Sequence, residues 1–445
     1  MSDRCTRQTT TGVPQPTFSR RVVLGAGLVV GGLAHSAEMT AASAQSATAP
    51  AEREIHLQSF RCAAHWARGK CSGVAVSQGQ LVIASPSTTR SYTDPHADSG
   101  AATVWEAGAW TSPRITVGFP ATEVIASWNV DTPPGTWVEV AVQGATTGGE
   151  ETEWLVVGRW SSANPAEGGA IHRTSVDDQE GALASVKTDT VVFEGGNTLA
   201  SYFLRITLMR RTDSDCTPRV AQLTGMASAL PDGAVTTSTP GKTAGTVLDV
   251  PTLSQEVHVG HYPEWDNGGE AWCSPTSVAM IADYWKRGPS AKATSWVTVA
   301  PDEQVDHAAR QSFDHEYQGC GNWPFNVAYA ATLGLRGYVT RLRSLRDAEA
   351  YIAAGIPLVM SVSFKKEDMP GAGYSTSGHL MVLCGFTAAG NPVINDPASH
   401  LIPSNNEVRV TYDRAAVENA WLPHSGGLVY AIYPEGTQMP KNFGI

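Results

Sequence analysis

The hydrophobic period of this chain changes near residue 230, and that change dictates a fold in two parts. From about Ile55 to Leu230 apolar residues alternate with polar ones over short runs. In "TWVEVAVQG", Val138, Val140 and Val142 share one face, with Glu139 and Gln143 on the other. In "SYFLRITLMRR", Tyr202, Leu204, Ile206 and Leu208 oppose Arg205 and Thr207. Turn clusters "DTPPG", "TTGGE" and "EGGN" separate such runs. Short alternating segments with Gly/Pro turns and no long 3.6-residue pattern predict an antiparallel β-sandwich, jelly-roll-like, over residues 55–230. Residues 230–246, "LPDGAVTTSTPGKTAGT", have no apolar period and read as a connector, so 231–247 is assigned as linker.

Beyond it the period becomes helical. Ser274 is expected to cap a helix, Pro275 to occupy its first turn, and Val278, Ile281, Ala282 and Trp285 to form its apolar stripe. "WPFNVAYAATLGL" predicts a second helix closing near Gly334. "SLRDAEAYIAAGIP" predicts a third, capped by Ser344, with Asp347 three residues on, and stopped by Gly355 and Pro357. "PLVMSVSF", "HLMVLCGF", "NPVINDP", "VRVTY" and "LVYAIYP" follow as strands. Helices first and strands later predict an α+β domain with an antiparallel sheet over residues 248–445.

The N-terminus has its own logic. "FSRRVVLGAGLVVGGLAHSAEMTAASAQ" pairs Arg20 and Arg21 with an apolar run from Val22 to Ala34, and small residues "ASA" follow at 42–44. This is the layout of a cleavable signal peptide over residues 1–44, and the paired arginines resemble a twin-arginine export signal. The expected location is secreted, periplasmic or cell-surface, reached already folded. The apolar run is too short and too glycine-rich to span a bilayer, and no other segment reaches spanning length. The chain carries a net charge of −11. Without a basic cluster, that argues against nucleic acid or an anionic membrane surface as partner.

Seven cysteines occur, and Cys5 lies in the signal. Cys62 has Cys71 and Cys216 as alternative disulfide partners, between which spacing does not choose. Cys384, inside "HLMVLCGF", reads as a small core residue. Cys273 is different. In "GEAWCSPTSVAM" it stands directly before a helix, where the positive end of the helix dipole favours thiolate, the reacting form. A nucleophile there needs a base and a group to orient the base. His379 in "SGHLMVLCGF" and Asp396 in "NPVINDPAS" supply candidates. The two segments flank the turn "TAAG". Pairing His379 with Asp396 centres the hairpin between Thr387 and Ala388, inside that turn. The carboxylate would then hold the imidazole in the tautomer a base requires. Asn395 would face the other way.

Together "WCSPTSVAM", "GHLMVLCGF" and "INDPAS" resemble the peptidase C39-like family, a branch of the papain-like cysteine peptidases that includes bacteriocin leader peptidases. The resemblance spans about residues 248–434. It implies a papain-like fold and a triad of Cys273, His379 and Asp396. It also implies an oxyanion-stabilising glutamine, for which Gln255 in "VPTLSQEV" is the corresponding residue. Leader peptidases carry that glutamine a few residues before the cysteine. Gln255 lies eighteen before it, so "HVGHYPEWDNGGEAW" must loop out. The sequence shows neither the membrane spans nor the ATPase motifs of a bacteriocin exporter, so that substrate does not carry over. The N-terminal half, with "WTSPRITVGF" and "SWNVDTPPGTW", resembles a region that accompanies such domains in secreted bacterial proteins.

The expected activity is hydrolysis of peptide bonds through a thioester, on a peptide or protein substrate. An acyltransferase or amidase would use the same residues. A binding protein with a non-catalytic papain-like domain is the remaining class. Cell-wall contact through the sandwich would enlist Trp105, Trp110, Trp128, Trp137, Trp154 and Trp160 as stacking surfaces, although tryptophans more often fill a core. In "EQVDHAARQSFDHEYQGC", Asp306, His307, Asp314, His315 and Cys320 have no compact zinc spacing and read as exposed helix residues. The Gly-rich "YQGCGNW" turn, 317–323, reads as a border of the cleft. Neither a metal nor a cofactor is expected.

Overall fold

A computed structural model describes residues 52–231 and 234–440. The segment assigned to export, residues 1–44, lies outside the described residues. Two antiparallel sheets build the N-terminal half. One runs in the order Ala184–Lys187, Thr190–Phe193, Glu123–Asp131, Arg219–Ala229, Gln80–Ile83 and Val74–Ser77, with Glu54–Phe60 also paired to Arg219–Ala229. The other runs Leu155–Trp160, Thr136–Thr146, Leu199–Arg211, Ala102–Thr111 and Lys70–Ser72, with Thr88–Thr93 and Ile115–Ala121 attached. The alternation in the sequence fills the space between them. Val138, Val140, Val142, Tyr202, Leu204, Ile206 and Leu208 are all fully buried.

The faces expected to meet solvent are covered as well. Trp105, Trp137, Ile171 and Met209 form a second small cluster on the far side of one sheet. Glu139 is buried there between Arg90 at 3.1 Å and Arg159 at 3.0 Å. Trp105, Trp110, Trp128, Trp137 and Trp160 are core residues, which removes them as stacking surfaces. Trp154 is half-buried under the guanidinium of Arg205, 4.1 Å from its ring.

The C-terminal half is α+β, as its period predicts. Its six-stranded antiparallel sheet has the order Leu335–Arg341, Leu428–Pro434, Leu358–Phe364, Thr376–Phe386, Pro392–Asn395 and Arg409–Thr411. The predicted helices form at Cys273–Tyr284, Trp323–Thr332 and Leu345–Ala353. Asn322 caps the second through Phe325 N, and Ser344 caps the third through Arg346 N. Gly334 and Gly355 end these helices at positive φ, where a side chain would strain the backbone. The first helix differs from expectation. It begins at Cys273 itself, and Ser274 is not its cap but meets the Tyr430 hydroxyl at 3.1 Å inside the core. A further helix, Arg414–Ser425, carries no clear sequence signal, because Pro423 interrupts its pattern.

The connector is not a free tether. The Glu418 carboxylate accepts from Ser238 N at 2.7 Å and Ser238 Oγ at 2.6 Å, and Glu349 accepts from Gly241 N at 3.0 Å. Its last residues lie against the Thr376–Phe386 strand, where Leu248 N donates to Cys384 O at 2.8 Å. A Cβ on Gly385 would come within 2.2 Å of Thr246 O, so only glycine admits this crossing.

The two halves share one apolar cluster, in which Phe325 packs edge-on against Trp128 and Trp160. The outer edge of the Leu335–Arg341 strand, which would otherwise leave backbone groups unpaired, is met by sandwich side chains. Asn129 Nδ2 donates to Gly337 O at 2.9 Å, and Gly337 N donates to Asn129 Oδ1 at 3.0 Å. Gln222 Nε2 adds a bond to Gly337 O at 3.1 Å, and Val339 N donates to Ser127 Oγ at 3.1 Å. Side-chain amides thus stand in for a seventh strand and block the edge. Asn129→Ala leaves a buried N–H without its acceptor and is expected to cost about 1–3 kcal/mol in chemical denaturation, with both halves unfolding in one transition. Two separate transitions in the wild-type protein would contradict this interlock.

Candidate active site

Cys273 is the first residue of the Cys273–Tyr284 helix and is partly exposed, while the residues that follow, Ser274 to Ala282, are buried. The backbone N–H at a first helical position has no partner within the helix and points toward whatever approaches the end. The helix packs against the Thr376–Phe386 strand, where Ser277 Oγ donates to Leu380 O at 3.2 Å. His379 is the neighbour of Leu380 on that strand, and it is buried.

The predicted partners of Cys273 converge. His379 Nε2 lies 2.8 Å from Asp396 Oδ1. That leaves Nδ1 free of the carboxylate, and the Cys273 side chain lies close enough to the ring to be among the groups that raise its pKa. The hairpin register is not the one expected. Val382 faces Asn395 and Leu383 faces Ile394, and a bulge follows before Gly385 faces Val393. Continued, this register sets Asp396 against Met381, two residues from His379 along the same face, so the contact is diagonal. The bulge falls where the connector crosses the strand. Asn395 does face away: its Nδ2 donates to Pro251 O at 2.9 Å, and its Oδ1 accepts from Arg409 Nε at 2.9 Å.

Asp396 is fully buried, and it is held by four donor groups. Besides His379, Tyr374 Oη donates to both carboxylate oxygens at 2.9 Å, Tyr412 Oη to Oδ2 at 2.7 Å, and Ala398 N to Oδ1 at 3.1 Å. Burial alone would raise its pKa. The His379 charge and these bonds outweigh burial and hold it below the ordinary value. Burial alone would likewise lower His379, but the Asp396 charge and hydrogen bond, and then Cys273, raise it to about 10. The buried carboxylate thus favours the protonated form of the imidazole. Tyr374 and Tyr412 are the functional residues that sequence reasoning missed. Neither belongs to a motif, and Tyr374 precedes its strand by two residues.

Gln255 ends up between the other parts. Its backbone N donates to Pro397 O at 2.9 Å, next to Asp396, and its Nε2 donates to Glu270 O at 2.8 Å, three residues before Cys273. The excursion between Gln255 and Cys273 closes through a bridge between Val259 and Gly268, so the eighteen-residue spacing does not separate the two ends in space. The half-buried Glu256 carboxyl is raised, first by desolvation and then by Glu270, which gives this flank an acidic character.

The remaining candidates are placed otherwise than expected. Asp306 and His307 are buried because the Glu303–Ser312 helix packs against the Cys273–Tyr284 helix, and Asp314, His315 and Cys320 lie beyond that helix, the first and last buried and His315 half-buried. Cys320 N donates to Asp266 Oδ2 at 2.8 Å, and its thiol is pushed well up by burial, then by Asp266 and the nearby Cys273. The Gly-rich turn thus borders the cysteine's surroundings, as read from sequence. Cys384 is a core residue with its thiol pushed up to about 12 by burial. Cys62, Cys71 and Cys216 are exposed and unpaired, so neither alternative disulfide of Cys62 forms in this structure.

Residues 247–428 match the model of the Peptidase_C39 like family, and residues 56–228 match that of the Peptidase C39 N-terminal domain. The chain belongs to the peptidase C39-like family. No curated protein matches it. Similar solved structures include carbohydrate-binding modules of the β-sandwich superfamily, 12% identical, with 34% of this chain and 54% of that chain covered at a TM-score of 0.16. A family two carbohydrate esterase from Cellvibrio japonicus is 11% identical, with 54% and 50% covered at 0.17. The catalytic domain of an endo-1,3-beta-glucanase from Thermotoga petrophila RKU-1 is 8% identical, with 36% and 81% covered at 0.16. The chain spans about half the length of the first two, and scores this low carry no inference about fold or function.

The shifted groups make stability depend on pH with a definite sign. His379 binds its proton more tightly folded than at its ordinary value of 6.5, so its contribution is complete below pH 6.5 and is lost as pH rises through about 10. Asp396, lowered from 3.8, contributes above that pH and loses its contribution as pH falls further. The difference in unfolding free energy between wild type and His379→Ala is expected to be level between pH 3.8 and 6.5 and to shrink toward pH 10. A difference that grows above pH 7 would contradict the assignment. Tyr412→Phe removes one donor to a buried carboxylate and is expected to cost about 1.5–3 kcal/mol by denaturant titration at neutral pH.

Proposed function

We propose that this member of the peptidase C39-like family is a cysteine peptidase that hydrolyses peptide bonds with Cys273 as nucleophile, His379 as general acid and base, and Asp396 as the group that orients His379. The observation that supports the reading is an imidazole bonded to a buried carboxylate and close enough to a helix-entrance cysteine for that side chain to raise its pKa. The family match supports the same chemistry. A papain-like arrangement of the C-terminal domain belongs to this reading, as do residues 1–44 as an export signal.

In the proposed reaction the Cys273 sulfur, its proton passed to His379, attacks the carbonyl carbon of a peptide bond. Negative charge develops on the carbonyl oxygen. The Cys273 N–H and the second hydrogen of the Gln255 amide are the available donors. His379 returns its proton to the leaving amine, and the C–N bond breaks to leave a thioester. His379 then takes a proton from water. The resulting hydroxide attacks the thioester, the acid product departs and the sulfur is regenerated. Asp396 keeps Nε2 protonated throughout, so that Nδ1 does the exchanging.

A peptide library incubated in ¹⁸O-labelled water distinguishes this from transfer to an amine. The expected result is cleavage with one ¹⁸O in the new carboxyl terminus, reduced at least about a thousandfold by Cys273→Ala and by His379→Ala. Products joined to an added amine, without ¹⁸O, would point to an acyltransferase. Cleavage equal in wild type and Cys273→Ala would overturn the proposal.

A further inference from the structure

The excursion between Gln255 and Cys273 carries a second cluster that the proposed triad does not use. His258 ends the short helical turn Gln255–His258, and His261 follows three residues later. Across from them stands Asp306 of the Glu303–Ser312 helix. Asp306 Oδ1 lies 2.9 Å from His261 Nδ1, and Oδ2 lies 3.0 Å from His258 Nδ1. One donor atom from each residue lies within 4.8 Å of the others. The two imidazoles are steeply inclined, at 81°, with centroids 5.0 Å apart.

The cluster is not satisfied by hydrogen bonds. His258 and Asp306 are both fully buried. His258 Nδ1 and Asp306 Oδ2, although 3.0 Å apart, are not aligned as donor and acceptor, and each lacks a hydrogen-bond partner among the described residues. His258 Nε2 also lacks one. The contrast with Asp396 is instructive. That carboxylate, equally buried, is met by four donor groups, whereas Asp306 has a single side-chain hydrogen bond, from His261. A buried carboxylate left so poorly compensated is costly. His258 Nδ1 and Asp306 Oδ2 approach closely without bonding to each other, and His261 Nδ1 bonds to the same carboxylate, so one donor atom from each residue gathers as ligands do around a centre. Two ligands at about 2.0–2.1 Å from a tetrahedral zinc ion lie roughly 3.3 Å apart, near the separations here.

We propose that His258, His261 and Asp306 form a binding site for a divalent transition-metal ion of the zinc type. Two imidazoles and one carboxylate are a borderline donor set, which suits zinc rather than calcium or magnesium, whose sites are built from oxygen. The ion would be structural. It would pin the excursion to the Glu303–Ser312 helix from behind the reactive cysteine. His258 lies three residues after Gln255, and its ring stands 6.1 Å from that of Trp272, the residue before Cys273. The inference does not rest on the peptidase reading, because none of its three residues belongs to the proposed triad.

The test uses the full-length chain without a polyhistidine tag, with the exposed thiols of Cys62, Cys71 and Cys216 blocked by alkylation. After dialysis against a chelator the protein is titrated with zinc chloride by calorimetry, and bound metal is counted by elemental analysis. The expected result is one equivalent of zinc per chain, not displaced by magnesium, together with a rise in melting temperature on binding. His261→Ala and Asp306→Asn are each expected to weaken binding by about a hundredfold or more. His261 is partly exposed, so its variant preserves the test if Asp306→Asn does not fold. Absence of stoichiometric uptake, or uptake unchanged in His261→Ala, would overturn the site.

Discussion

A carboxylate without access to water governs the architecture of the C-terminal half. Asp396 can remain ionised only because a histidine, two tyrosine hydroxyls and a backbone N–H surround it, and each comes from a different stretch of chain. His379 belongs to a central strand, Tyr374 to the loop before it, Tyr412 to the residue after an edge strand, and Ala398 to the turn after Asp396. If any of these stretches moves, a buried charge loses a partner. The geometry of the His379 ring is therefore a by-product of satisfying that charge. A ring fixed in this way holds its other nitrogen in one place, and Cys273 at the start of its helix is near enough to influence the ring.

The same economy explains how the distant parts stay in register. Gln255 bonds through its backbone N–H to the residue after Asp396 and through its side chain to a carbonyl three residues before Cys273, so the turns that carry Asp396 and Cys273 share one residue. The connector crosses the Thr376–Phe386 strand at a glycine and induces no break, only a bulge. On the far side, the sandwich blocks the sheet's open edge through Asn129, Gln222 and Ser127. The N-terminal half is in this way part of the wall on which the sheet rests.

Local signals carried much of this into the sequence. The change of hydrophobic period marked the two halves, and the cap at Ser344 with stops at Gly334 and Gly355 marks helices because each acts within a few residues. Cys273, His379 and Asp396 were legible because each sits at an element boundary with a recognisable local pattern. The hairpin register was not, since it turns on a bulge at Cys384, where a connector from far away in the chain also pairs with the strand. Tyr374 and Tyr412 were equally hidden, because their role exists only once four segments meet. The burial of Asp306, His307, Asp314 and Cys320 is a tertiary outcome of the same kind. An amphipathic helix of mixed polarity looks like surface until a neighbouring helix covers it.

The central claim is that Asp396, through His379, sets the reactivity of the Cys273 sulfur. The rate of alkylation of each cysteine, followed by mass spectrometry of peptides across a pH series, reads that coupling without requiring a substrate. The account predicts that Cys273 reacts much faster than Cys62, Cys71 and Cys216 at and below neutral pH, although these three are more exposed. It also predicts that Asp396→Asn and His379→Ala each remove that advantage while leaving the other thiols unchanged. A Cys273 rate that matches the exposed thiols, or that does not change in either variant, would contradict it.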